Sequence, residues 1–146
     1  MSETAFSGPV ATFTHDLDGS SSGYSDKGWC VMSQVGTITQ NSTTAVSYTF
    51  YLPQGSQIVD IIADEAVAYD SATSATLSVG KTAGGTEYAS GVNAKTGGRV
   101  RPTFTATQVG NMANIGTSAA VVATITVVGA TTVGTVYVTV LYVQKP

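Results

Sequence analysis

The sequence predicts an all-β protein, built as an antiparallel sandwich or barrel of about eight strands. Three observations carry this expectation. The last third of the chain is dense in Val, Ile, Thr and Tyr, residues that suit a pleated, half-buried surface. Clusters of Gly, Pro, Asn, Asp and Ser divide the chain at short intervals and supply turns. No long segment keeps a helical period, and no fixed repeat points to a solenoid or propeller. A length of 146 residues fits one domain with a real core, without metals or several disulfides.

Taken in order, residues 1–28 are expected to form an extended N-terminal arm and a loop, and residues 29–146 a single β domain. Gly8-Pro9 and the run from Asp18 to Gly23 break regular structure, leaving at most a short strand from Val10 to Thr14. Trp29 to Thr39 is the first clear strand region. Thr43 to Leu52 alternates cleanly, with Val46, Tyr48, Phe50 and Leu52 on one face and Ala45, Ser47, Thr49 and Tyr51 on the other. Pro53-Gln54-Gly55-Ser56 makes a turn. Gln57 to Asp64 fits a strand or a helical face by period, and its β-branched content favours the strand. Ala75 to Val79 is a further strand ending at Gly80. Lys81 to Gly98, rich in Gly, Thr, Ser and Asn, reads as a long surface loop, after which Pro102 to Gln108 resumes a strand. Ala119 to Val128 and Thr132 to Val143 are the strongest strands. Only Gly129-Ala130-Thr131 separates them, which suggests an antiparallel hairpin. The final strand is apolar on both faces, with Val136, Val138 and Val140 on one and Tyr137, Leu141 and Val143 on the other. Left at an open edge it would invite aggregation, so it must lie centrally or be covered by another subunit.

Composition narrows the function. Charged residues are only 10% of the chain, so the surface is built mainly from Thr, Ser, Gly, Asn and Gln. Such a surface is cheap to desolvate against another protein. A net charge of −3 argues against a nucleic-acid-binding domain. The acids cluster between Glu3 and Asp70 and the bases between Lys81 and Arg101, two sections that could complement each other between neighbouring copies. The N-terminus MSETAFSGPV has no basic start and no apolar run. No segment is apolar for long enough to span a membrane. We therefore expect a protein that works in the cytoplasm or in an assembly made there. Cys30 is the single cysteine, cannot form an intrachain disulfide, and is expected to pack as a small hydrophobe.

The residues that catalysis or metal binding would need are sparse, and no catalytic, cofactor or metal site is expected. The single histidine, His15, lies far from any nucleophile motif. Asp16-Leu17-Asp18-Gly19-Ser20 lacks the later ligands of a calcium loop, and an Asp-Gly turn accounts for it. Asp64-Glu65 are adjacent acids near a strand end, ordinarily solvated there. The glycines around Lys81 to Arg101 match no phosphate-binding loop. Arg99 and Arg101, spaced by two, point the same way on an extended strand and could clamp a partner's carboxylate. Exposed rings such as Tyr51 suit an interface or core role better than a sugar site.

The run from Leu52 to Ile61, then Ala75 to Gly80, Tyr88 to Asn93 and Thr96 to Val100, continues into Ala123 to Val127 and Gly134 to Tyr142. Over these last two-thirds the layout resembles small β-structured virion proteins of tailed phages, and is most similar to capsid decoration (cement) proteins. The resemblance implies a jelly-roll-like β-sandwich and a non-enzymatic role on the outer capsid surface. It also implies the phage major capsid protein as a partner, and a homo-oligomer, trimer or dimer. Contacts are expected at Phe6, Val10 and Phe13 of the arm, at Arg99 and Arg101, and at Tyr137 and Leu141. The rival reading is a tail or fibre module that binds host-surface carbohydrate; a small glycan-active hydrolase ranks last.

Overall fold

The computed structural model describes residues 30–40, 44–117 and 120–144. The expected arm, with its short strand at 10–14 and with Phe6, Val10 and Phe13, lies outside the described residues.

The described chain is nearly all β. Its elements are β1 (Met32–Thr39), β2 (Val46–Tyr51), β3 (Gln57–Val67), β4 (Ser74–Gly80), β5 (Ala89–Asn93), β6 (Gly98–Val100), α1 (Ala106–Met112), β7 (Ala120–Val128) and β8 (Thr135–Val143). Two four-stranded antiparallel sheets result, in the orders β1-β8-β3-β6 and β2-β7-β4-β5. The paired strands nest: β1 with β8, β2 with β7, β3 with β6, and β4 with β5. One long ribbon is thus rolled over itself, the jelly-roll-like layout that the resemblance implied.

Alternation along each strand sets the core. On β8, Val136, Val138 and Val140 are fully buried, while Tyr137, Thr139 and Leu141 turn outward. Ile38, Ile61 and Ala63 join them from the same sheet, and Phe50, Leu77, Val121 and Ile125 face them from the other. Because β8 lies between β1 and β3, its two apolar faces cost no open edge. This is the first of the two placements that its composition allowed, central in the sheet or covered by another subunit. At the β1–β2 side, the Tyr48 ring lies on Gly36, where a Cβ would come within 2.5 Å of Cε1. Tyr48 also tilts against Phe50, with ring centroids 4.9 Å apart. Tyr69 is buried and donates its hydroxyl to the Ile38 carbonyl at 3.0 Å, fastening the end of β3 to β1.

Several expectations are corrected. Gln57–Val67 is a strand, as β-branching favoured, and it runs three residues past Asp64. β7 and β8 are not a hairpin, because they belong to different sheets and the chain between them crosses from one to the other. The Asp70 carboxylate fixes that crossing by accepting from Thr132 N at 2.8 Å, Val133 N at 3.2 Å and the hydroxyls of Thr131 and Thr132. These four donors hold its carboxyl well below the usual carboxylate range. The supposed long loop 81–98 contains β5 and buries Tyr88, Ala89, Val92 and Ala94 in the core. Pro102 to Gln108 is not a strand, since the helix α1 begins within it. Thr105 caps the helix, and Gln108 bonds back to the Thr105 backbone N–H in a reciprocal box. The buried Gln108 also donates to the Thr86 carbonyl at 3.1 Å, and Asn111 to the Glu87 carbonyl at 3.1 Å, so α1 holds down the β4–β5 connection. Cys30 is exposed, not packed, because it lies ahead of β1, where none of the described strands covers it.

Candidate interaction surface

The outer face of the first sheet collects the expected contact residues that are described. Register places them in three rows. Thr37, Tyr137, Asp64 and Arg99 cross the sheet together; Val35, Thr139 and Ile62 form the next row; Ser33, Leu141 and Asp60 form the third. Arg101, just past β6, reaches back to Asp60 at 3.5 Å. Tyr137, Leu141, Arg99 and Arg101 therefore share one face, although 42 residues separate Arg99 from Leu141 in the sequence.

The arginines are already engaged. Arg99 grips Asp64 through two bonds, Nε to Oδ1 at 2.6 Å and Nη2 to Oδ2 at 3.0 Å. This fork lowers the Asp64 carboxyl and raises the Arg99 guanidinium from their ordinary values. The acidic and basic sections thus meet within one molecule, at Asp64–Arg99 and Asp60–Arg101, not only between copies as their sequence separation suggested. The face carries two neutralised pairs at its β3–β6 half and an uncharged half over β1 and β8.

The adjacent acids Asp64 and Glu65 point to opposite sides of β3. Asp64 is outward, whereas Glu65 is only 4% exposed and accepts from Gly97 N at 3.0 Å. It is not the solvated acid that its position suggested. Burial raises its carboxyl pKa, a little offset by the Gly97 bond. Two carboxylates divided by a sheet cannot act on one bond. Among the described residues no group of three His, Cys, Asp or Glu side chains gathers where a metal ion could be held. None of the described helices is long and apolar enough to cross a membrane.

A second feature had no counterpart in the sequence reading. No charged residue occurs between Lys27 and Asp60. The fold puts the two strands that lie wholly within this stretch, β1 and β2, at the same side of the sandwich as edges of the two sheets. Four exposed large hydrophobics fall there: Val31, Val35, Tyr48 and Tyr51, the last 73% exposed. Gln34 Nε2 donates to the Tyr51 carbonyl at 2.9 Å and links the two edges. The charge gap and the period-2 placement of Val35 beside Ser33 and Thr37 were readable, but only topology brings β1 and β2 side by side.

No protein-family model matches this chain, and no curated protein matches it. Among solved structures it is similar to a chain of the cyanophage Pam1 capsid asymmetric unit, with a TM-score of 0.60 and 19% sequence identity. The match covers 90% of this chain and 99% of that one, so the two are of nearly the same length. At this identity the likeness establishes a shared fold.

Proposed function

We propose that this chain is a non-enzymatic structural virion protein of a bacteriophage, one that decorates the outer surface of the capsid and stabilises the mature head. The observation that carries the reading is the near-complete, end-to-end match in fold to a chain of similar length in a phage capsid asymmetric unit. Composition supports it: with 10% charged residues, much of the exterior can meet another protein without stripping water from ions. Its partners are then the major capsid protein and further copies of itself, as trimer or dimer. Residues 1–28 serve as the arm laid on the shell, and Tyr137, Leu141, Arg99 and Arg101 mark a face for protein contact. A ligand that prefers the mature lattice stabilises it by mass action, and many copies multiply the effect.

Cosedimentation of the purified protein with expanded, undecorated capsids, with tails as control, tests this. Saturable binding to heads alone, together with a raised capsid melting temperature, is the expected result. Binding to tails or host glycans instead would refute decoration and move the protein to the carbohydrate-binding class.

A further inference from the structure

We infer that residues 95–101 form a proton-controlled flap on the β3–β6 edge, held shut by the neutral Glu65 carboxyl and released when that carboxyl ionises. This goes beyond the proposed function and does not rest on it.

The strip lies between two anchors. Ala94 is fully buried, donates its N–H to the Ala75 carbonyl at 2.9 Å and accepts from Tyr69 N at 3.0 Å. Pro102 is buried at the other end. None of residues 95–101 is buried, though Val100 leans partly on the core. Gly97 and Gly98, at φ +68 and +93, lead into β6, which pairs with β3 over three residues. So short an edge strand, entered through two glycines that lose much backbone freedom on ordering, belongs to the low-stability end of a fold. Asp64–Arg99 and Asp60–Arg101 tie it from outside, where water screens them. Glu65 ties it from inside, its Oε2 accepting from Gly97 N at 3.0 Å.

The other oxygen of that carboxyl makes the tie depend on a proton. Glu65 Oε1 is buried, and no hydrogen-bonding group among the described residues reaches it. A neutral carboxyl bears this at modest cost. An anion in the same place leaves one oxygen unsolvated at low dielectric. No cation among the described residues offsets the charge. Val136 of β8 and Gly98 of β6 sit beside Glu65 in register and do not ionise. Tyr69, just past β3, carries the phenol that feels the Glu65 charge, and it stays neutral, pushed up to about 12 by burial and by that charge. Lys95 Nζ is directed to the Thr73 carbonyl at 3.4 Å, and Arg99 to Asp64 on the opposite face of the sheet. Opening the flap lets water reach the anion and removes no buried side chain from the core. A carboxyl that holds its proton more tightly in the closed form favours closure at low pH and opening as pH rises through its closed-state value.

The test is amide hydrogen exchange on the full chain, read by NMR as protection factors from about pH 4 to 8, for the wild type and Glu65→Gln. In the wild type, protection at residues 97–100 should fall several-fold as pH rises, since each unit by which closure raises the carboxyl is worth tenfold in the opening equilibrium. It should also stay below that of β8 throughout and respond little to dilute urea, because a flap exposes little surface on opening. In Glu65→Gln, protection at 97–100 should not vary with pH. A carbon-13 titration of the wild-type Glu65 carboxyl should share its midpoint with the fall in protection, which keeps the test decisive should the variant fail to fold. Flat protection in the wild type, the same fall in Glu65→Gln, or different midpoints would overturn the inference. So would residues 97–100 that match β8 in both protection and urea response, by showing that the strip opens only when the whole sandwich unfolds.

Discussion

Gly36 gives the sharpest test of how the two sheets are joined. Its hydrogen faces the core and the Tyr48 ring lies directly on it. Replacing Gly36 with Ala puts a methyl 2.5 Å from Cε1, 2.8 Å from Cγ and closer still to Cδ1. Ordinary contact begins near 3.4 Å, so the ring must retreat by roughly an ångström. Tyr48 is partly exposed and can lift outward, but doing so parts it from Phe50 and opens the seam between β1 and β2. Overpacking of this kind costs about 1–3 kcal/mol. Part of the gain from alanine's lower unfolded-state entropy offsets it. We expect a net loss near 1–2 kcal/mol in urea unfolding, with an unchanged slope. The double-mutant cycle is decisive. In a Tyr48→Ala background the Gly36→Ala loss should largely vanish, a coupling of about 1 kcal/mol or more. If Gly36→Ala is neutral in the wild type, or costs the same in both backgrounds, the ring-on-glycine contact does not hold the sheets and the reasoning fails.

Two further outcomes follow from buried polar groups. Burial raises the Glu65 carboxyl, so its folded form prefers the proton more than the unfolded chain does. That contribution to stability is full below the unfolded value of about 4.3 and is lost as pH rises through the higher folded value. Glu65→Gln should therefore melt higher than the wild type at pH 7 and flatten the decline of stability as pH rises through the raised folded value; a steeper decline in the variant would contradict the burial argument. Tyr69→Phe removes the buried bond to the Ile38 carbonyl, which should lower stability by about 0.5–1.5 kcal/mol in denaturant titration. A change under a few tenths would show that the hydroxyl does not fasten β3 to β1.

How much was legible depends on whether the deciding contact is local. The strands that alternate cleanly, Val46–Tyr51 and Thr135–Val143, were readable because period and β-branching act within a few residues. The two apolar faces of β8 required cover, and the topology supplies it by placing the strand centrally rather than by leaving it to another subunit. The false hairpin arose because a short Gly-containing link is compatible with both a tight turn and a crossing between sheets. What selects the crossing is Asp70, some sixty residues away, with its four donors. Helix α1 did carry a local sign, Thr105-Ala106-Thr107-Gln108, the spacing of a capping box. β5 was hidden by Gly91 and by its dependence on β4 for pairing. Arg99, Arg101, Tyr137 and Leu141 were singled out for separate reasons, and their common face follows from strand register. The carboxylate partners Asp60 and Asp64 could not be assigned, since nothing in the sequence pairs β3 with β6.

The nested pairing also bears on how the chain reaches this structure during synthesis. β8 is the strand that joins β1 to β3, yet it comes after every other described strand in chain order. A chain emerging from the ribosome N-terminus first holds β1 and β3 with no strand between them until residues 135–143 appear. The first sheet cannot close on any shorter piece, and its pairings span much of the chain. Folding of this kind is slow, and the waiting strands are exposed to neighbouring chains. Rapid translation of the final hairpin-free stretch, or a chaperone that shields β1 meanwhile, should raise the yield of native protein more than any gain in the stability of the finished fold.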